Sequence, residues 1–258
     1  MEYVVIALTA LLASLLTFFS GFGLGTLLTP VFIIFFPPGL AIALTGVVHL
    51  LNNMFKLGLT FPHINRGVLL RFGLASVPAA FLGAWALSYA ESLPPVYSYE
   101  LGGRLCTVTP VKLLIAVLIL LFTLMESLPV LKNMHARKEH LIAGGLISGF
   151  FGGLSGHQGA LRTVFLVRSG LSKESFIATG IAIACMVDLT RLPVYFSSVE
   201  KDISIKDHLP VLSCAVLAAF AGAYLGSRLL KKTTLGAVQA IVSIALILLA
   251  IALGSGLI

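Results

Sequence analysis

The chain has 258 residues, 58% of them hydrophobic and only 10% charged, whereas a soluble domain averages about 45–50% and about 25%. Such a composition describes an integral membrane protein and leaves no room for a soluble domain longer than a loop. In a soluble chain the net charge of +7 would suggest nucleic acid, but here the positions of the charges matter more than their sum, and nucleic acid is not expected.

The first apolar block, 3–36, has no basic segment before it and no small-residue cleavage pattern before Gly21, so it is expected to be mature structure and not a signal peptide. It is broken at "GFGLG" (21–25), through Gly21, Gly23 and Gly25, and stops at Pro37-Pro38. Apolar blocks 39–61, 67–90 and 111–131 follow and read as transmembrane helices. Segment 132–140, "KNMHARKEH", is a basic linker. Block 141–168 is interrupted by Gly152, Gly153, Gly156 and Gly159. Its arms of about 14 and 9 residues are each too short for a bilayer core that needs about 20 helical residues. Blocks 175–198, 209–230 and 235–257 complete the chain as helices. Cys106, Cys185 and Cys214 show no CxxC spacing, so neither a disulfide framework nor a zinc site is expected. No cofactor is expected either.

Residues 1–131 and 141–258 resemble each other at three places in the same order. "SGFGLGTLLTPVF" (20–32) faces "SGFFGGLSGHQGALRTVF" (148–165), "ALTGVVHLLNNMFKLGLTF" (43–61) faces "IATGIAIACMVDLTRLPVYF" (177–196), and "AAFLGA" (79–84) faces "AAFAGA" (218–223). Lysine and arginine then give the topology, because cytoplasmic loops carry the excess of them. The linker, the pair Arg66 and Arg71, and the group Arg228, Lys231 and Lys232 should all be cytoplasmic. An even number of crossings must separate the linker from the loop at 228–232, yet three apolar blocks lie between them. Block 141–168 is therefore expected to be a re-entrant hairpin and, by the repeat, so is block 3–36. Three crossings per half turn the second half upside down, with both termini outside. The expected fold is an all-α membrane protein of two inverted repeats, each a glycine-broken hairpin plus three helices.

Non-helical backbone at membrane depth needs a protein or water-filled surrounding, so the two glycine-rich breaks point to a central cavity. The helices leaving them, near Thr26 and near Gly159 or Ala160, present unpaired N–H groups and a positive dipole end to an anion. Polar residues inside apolar blocks are costly and usually face a cavity or a partner. Arg162, His157, Gln158, Thr26, Asn52, Asn53 and Arg191 are the candidate substrate ligands. Asp188, His157 and Lys56 are candidates for carrying a coupling proton. Bland readings stand beside these. Arg162 caps hairpin carbonyls or snorkels, Asp188 and Arg191 neutralise each other at i,i+3, and His157 bonds a hairpin carbonyl. His49 is structural, Lys56 and Glu126 reach the interface, and of Asn52 and Asn53 only one lines the cavity. The "AAFxGA" repeats read as close helix-packing surfaces.

"SGFGLGTLLTP", "NNMFK" and "SGFFGGLSGHQGALRTVFLVRSGLSKESF" together resemble the TauE/SafE family over essentially the whole chain. The resemblance implies a small bacterial inner-membrane transporter of two related halves, associated with export of sulfite and organosulfonates. This chain departs from the usual pattern in its second half, where the turn is longer, holds His157, Gln158 and Arg162, and has no proline after Thr163. No Walker A motif is present, so a secondary transporter driven by a gradient is expected. The alternatives are a passive anion channel of the same architecture and a rhomboid-like serine hydrolase suggested by "GLSG" (153–156).

Overall fold

A computed structural model describes residues 2–17, 24–127, 138–198, 205–229 and 236–258. Gly21 and Gly23, most of the basic linker, and Lys231 and Lys232 lie outside them, as do the side chains of Glu126 and Arg228. The described chain is almost entirely helical: α1 (Glu2–Thr17), α2 (Leu24–Phe35), α3 (Pro38–Thr60), α4 (Arg66–Ser92), α5 (Pro110–Ser127), α6 (Leu141–Ser155), α7 (Gly159–Leu166), α8 (Lys173–Ser198), α9 (Leu209–Leu229) and α10 (Gly236–Gly254). Among them α3, α4, α8 and α9 are long and apolar enough to cross a membrane, and this is a multi-pass membrane protein. In α5 and α10 the described apolar stretch is shorter.

Local signals set the helix ends. Pro38 starts α3 at a position where a missing N–H costs nothing. Asn65 caps α4 by accepting from Val68 N at 3.0 Å. The backbone of α4 widens into a π turn over Leu69–Gly73.

One element departs from the all-α expectation. Residues 97–101 and 104–108 form an antiparallel hairpin, β1 (Tyr97–Leu101) and β2 (Arg104–Val108). Gly102 and Gly103, with φ of 60° and 78°, supply its two-residue turn. Its signal was present in "YSYELGGRLCTV": two short runs of strand-forming residues around a Gly-Gly pair. The hairpin docks on the end of α10, where Tyr99 Oη donates to the Ser255 carbonyl at 2.9 Å.

The surface is inverted relative to a soluble protein. Leu8, Leu12, Met54, Leu74, Trp85, Leu189, Leu217 and Leu248 are exposed, while His49, Asn52, Asn53, Lys56, His157, Gln158, Asp188 and Arg191 are buried. Hydrocarbon as the outer solvent accounts for that exchange, since polar groups in lipid must turn inward to partners.

Glycines let α4 and α6 touch through their backbones. Gly145, Gly149 and Gly153, four apart on one face of α6, lie against the carbonyls of Phe72, Ser76 and Ala80, and Gly83 lies against the carbonyl of Phe150. This register makes α4 and α6 parallel. After Gly156 the chain doubles back, so that Gly144 packs on Phe165 and Leu141 shares a buried cluster with Leu166, Val68 and Phe72. Leu141 and Leu166 therefore lie at the same end of the α6–α7 pair. Gly149→Ala is expected to lower the melting temperature in detergent by overpacking, about 1–3 kcal/mol. Gly58→Ala, which meets open space, is the control that should melt no lower than wild type. Equal melting of the two variants would argue against this backbone contact.

Helix α6 packs on α4, α1 on α9, α3 on α8 and α5 on α10. Gly222 of the second "AAFxGA" lies against the Leu11 carbonyl of α1, as Gly83 of the first lies against α6. Gly46 meets Arg191 and Leu192, His49 meets Asp188, and Asn65 N donates to Thr179 Oγ1, so α3 and α8 run antiparallel. Helices α5 and α10 are antiparallel too, with Ala116 beside Gly254 and Ser127 bonded to Ser243.

Candidate functional site

Asp188, on the inner face of α8, is fully buried. Its carboxylate accepts from His49 Nδ1 of α3 at 2.5 Å and from Arg191 Nε, one turn on, at 2.8 Å. The Asn53 amide lies 3.2 Å from the His49 ring. Arg191 also donates to Tyr195 Oη at 3.4 Å, its guanidinium carbon 5.5 Å from the centre of that ring. Tyr195 Oη in turn donates to the Gly153 carbonyl. One polar chain thus runs from the first half, through α8, to the last turn of α6. Glycines make room for it: a Cβ at Gly156 would lie 2.7 Å from Arg191 Nη1, and one at Gly46 would lie 3.3 Å from Nη2.

The break between α6 and α7 sits at the end of that chain. Gly156 takes the left-handed conformation, φ 79°, and its N–H caps the helix on the Gly152 carbonyl at 2.9 Å. His157 is 3% exposed, its Nδ1 2.9 Å from the Ser155 carbonyl and its ring stacked on Phe122 of α5 at 5.8 Å between centroids. Gln158 is 2% exposed. Among the described residues, His157 Nε2, both polar atoms of the Gln158 amide, Arg162 Nη1, Thr45 Oγ1 and Thr123 Oγ1 are shielded from solvent and have no hydrogen-bonding partner. A buried polar group left unpaired costs about 1–3 kcal/mol, and His157 Nε2, the two Gln158 atoms and Arg162 Nη1 all fall within residues 157–162. Gly25, in the first turn of α2, comes against this break, since a Cβ there would lie 3.4 Å from the Gly156 carbonyl.

The other candidate ligands are distributed around this centre. Thr26 is buried in the first turn of α2. Asn52 and Asn53 are both buried but face different neighbours, as consecutive helix residues must: Asn53 faces His49, and Asn52 faces Ser14 of α1 at 3.1 Å. Lys56 is 5% exposed, its side chain held within the protein. With its amide turned to satisfy its surroundings, Asn52 accepts from Lys56 Nζ at 3.1 Å. The Arg162 side chain lies along α8, Nε 3.4 Å from a Cβ at Gly180. Among the charged candidates, Arg191 has protein partners and Arg162 has an unpartnered nitrogen. Sequence reasoning missed Tyr195 and Phe122. Tyr195 stands four residues after Arg191, a helical spacing that flags the pair, whereas nothing in sequence ties Phe122 to His157.

Ser155 is not arranged as a nucleophile. Its hydroxyl donates to the Phe151 carbonyl at 3.1 Å, and His157 approaches it with a backbone N–H at 3.4 Å and not with the ring. The family model "Sulfite exporter TauE/SafE" matches residues 6–253. The chain belongs to the TauE/SafE sulfite exporter family. A match of that extent takes in both halves, both breaks and the His49–Asp188–Arg191 network. TauE/SafE proteins are membrane transporters and not enzymes. Among curated proteins and among solved structures the chain has no match.

Proposed function

We propose that this TauE/SafE protein is a secondary transporter of the bacterial inner membrane that exports a small oxyanion, such as sulfite, thiosulfate or an organosulfonate, by alternating access around two re-entrant breaks. The observation that carries this reading is the segment Gly156–Arg162, whose His157, Gln158 and Arg162 atoms are buried and unpartnered beside the start of α7. The free N–H groups of that helix start add to the attraction for negative charge. Three supports come from the packing. The second-half arms double back to one end, α3 runs antiparallel to α8 and α5 to α10, as the proposed repeat requires, and Gly25 of α2 comes against Gly156. An inverted repeat with its site at the midplane has these properties.

The test is flux in proteoliposomes of sulfite, thiosulfate, sulfate and small sulfonates or carboxylates, with and without an imposed gradient. Uphill movement of one sulfur oxyanion is expected. Flux far faster than a transport cycle and indifferent to any counter-gradient would make the protein a channel. No anion flux from folded protein would remove the reading.

A further inference from the structure

The tautomer of His157 has a consequence for what travels with the anion. Its Nδ1 faces the Ser155 carbonyl at 2.9 Å, and a carbonyl only accepts, so Nδ1 carries the ring's proton. In the neutral ring Nε2 is then a bare lone pair. That atom is buried and, among the described residues, has no partner. Stacking on Phe122, with the ring planes 2° apart, holds the ring in this orientation.

The segment that carries this lone pair favours negative charge. Next along the chain, the Gln158 amide nitrogen is a buried donor without a partner among the described residues, and α7 begins at Gly159 with Arg162 in its first turn. The charged groups facing His157 are Arg191 of α8 and His49 of α3, both already held by Asp188. From α5 the neighbour is the Phe122 ring, and α4 presents backbone carbonyls to the α6 arm. An oxyanion drawn to the start of α7 would set its own lone pair against that of Nε2, and the two repel unless a proton lies between them.

We propose that His157 Nε2 and the bound anion share one proton, so that each anion held at the second break is accompanied by a proton and the pair moves together. This rests on the anion-transport reading above. The proton arrives on the substrate's own acidic hydroxyl or is taken from solvent by the ring, and it leaves with the anion when the site opens to the other side. No other bond is made or broken.

The test is calorimetry of the purified protein with sodium sulfite, above the second ionisation of sulfurous acid, in buffers of different ionisation enthalpy. Methanesulfonate, which has no acidic hydrogen, is the second probe. Close to one proton taken up per sulfite bound is expected. Uptake with both anions places the proton on the ring, and uptake with sulfite alone places it on the substrate oxygen; both support the proposal. His157→Asn keeps an amide donor for the Ser155 carbonyl but removes Nε2. It should abolish the uptake and weaken sulfite binding about tenfold. Sulfite binding by wild type without proton uptake, together with flux indifferent to a pH gradient, would overturn the proposal and leave anion transport standing. Failure of folded protein to bind either anion would overturn both.

Discussion

Arg162→Gln is expected to lower sulfite flux in proteoliposomes by on the order of 10- to 100-fold, the loss corresponding to about 1.5–3 kcal/mol for a hydrogen bond to a charged group. Gln keeps a polar side chain of similar reach and removes the charge, so the change isolates the guanidinium. Nη1 is shielded from solvent and, among the described residues, has no partner of its own. Removing the charge therefore breaks no visible ion pair, and the melting temperature should fall little or rise. Arg162→Lys keeps the charge but loses the planar fork, and intermediate flux is expected. If the guanidinium only capped carbonyls or reached for an interface, flux per folded molecule would stay unchanged in all three proteins. That outcome would move the anion away from the second break.

Asp188→Asn is expected to destabilise the protein by about 3–5 kcal/mol, the usual cost of removing one member of a buried ion pair. Asp188 is fully buried between His49 of one half and Arg191 of the other, and the carboxylate is the shared acceptor of both. Without it the Arg191 guanidinium keeps Tyr195 as a partner but loses its counter-charge. Asp188→Asn combined with Arg191→Met removes both charges and should recover most of the loss, because the uncompensated ion is what costs most. Melting in detergent and flux are read together. Single and double variants that melt alike, or an Asp188→Asn protein as stable as wild type, would show that this network does not join α3 to α8.

The two predictions separate binding from scaffolding, a distinction that sequence leaves open for both arginines. Arg162 and Arg191 each read as a charge inside an apolar block. Their difference is a matter of neighbours. Asp188 stands one helical turn from Arg191, so that pairing was legible from spacing alone. The second partner of Asp188, His49, comes from the other half of the chain and carries no local signal. A histidine on an apolar helix looked structural, and only the packing of α3 against α8 turns it into a contact between halves.

Sequence by itself determined the class and most of the helices, and it marked the glycine-rich stretch where α6 gives way to α7. Those properties follow from composition, hydrophobic run length and glycine position, which act locally and need no partner to be read. The short hairpin at 97–108 was written just as locally, in a Gly-Gly pair between strand-forming runs. Tertiary structure alone decided which polar groups are satisfied. That Gly25 of α2 comes against Gly156, that Lys56 ends on Asn52, that His157 lies on Phe122, and that Arg162 keeps a buried nitrogen without a partner among the described residues are all outcomes of packing between distant segments. The physical reason is that a buried polar group takes its meaning from whatever fills its hydrogen-bonding positions, and in a chain this apolar those neighbours come from helices far apart in sequence.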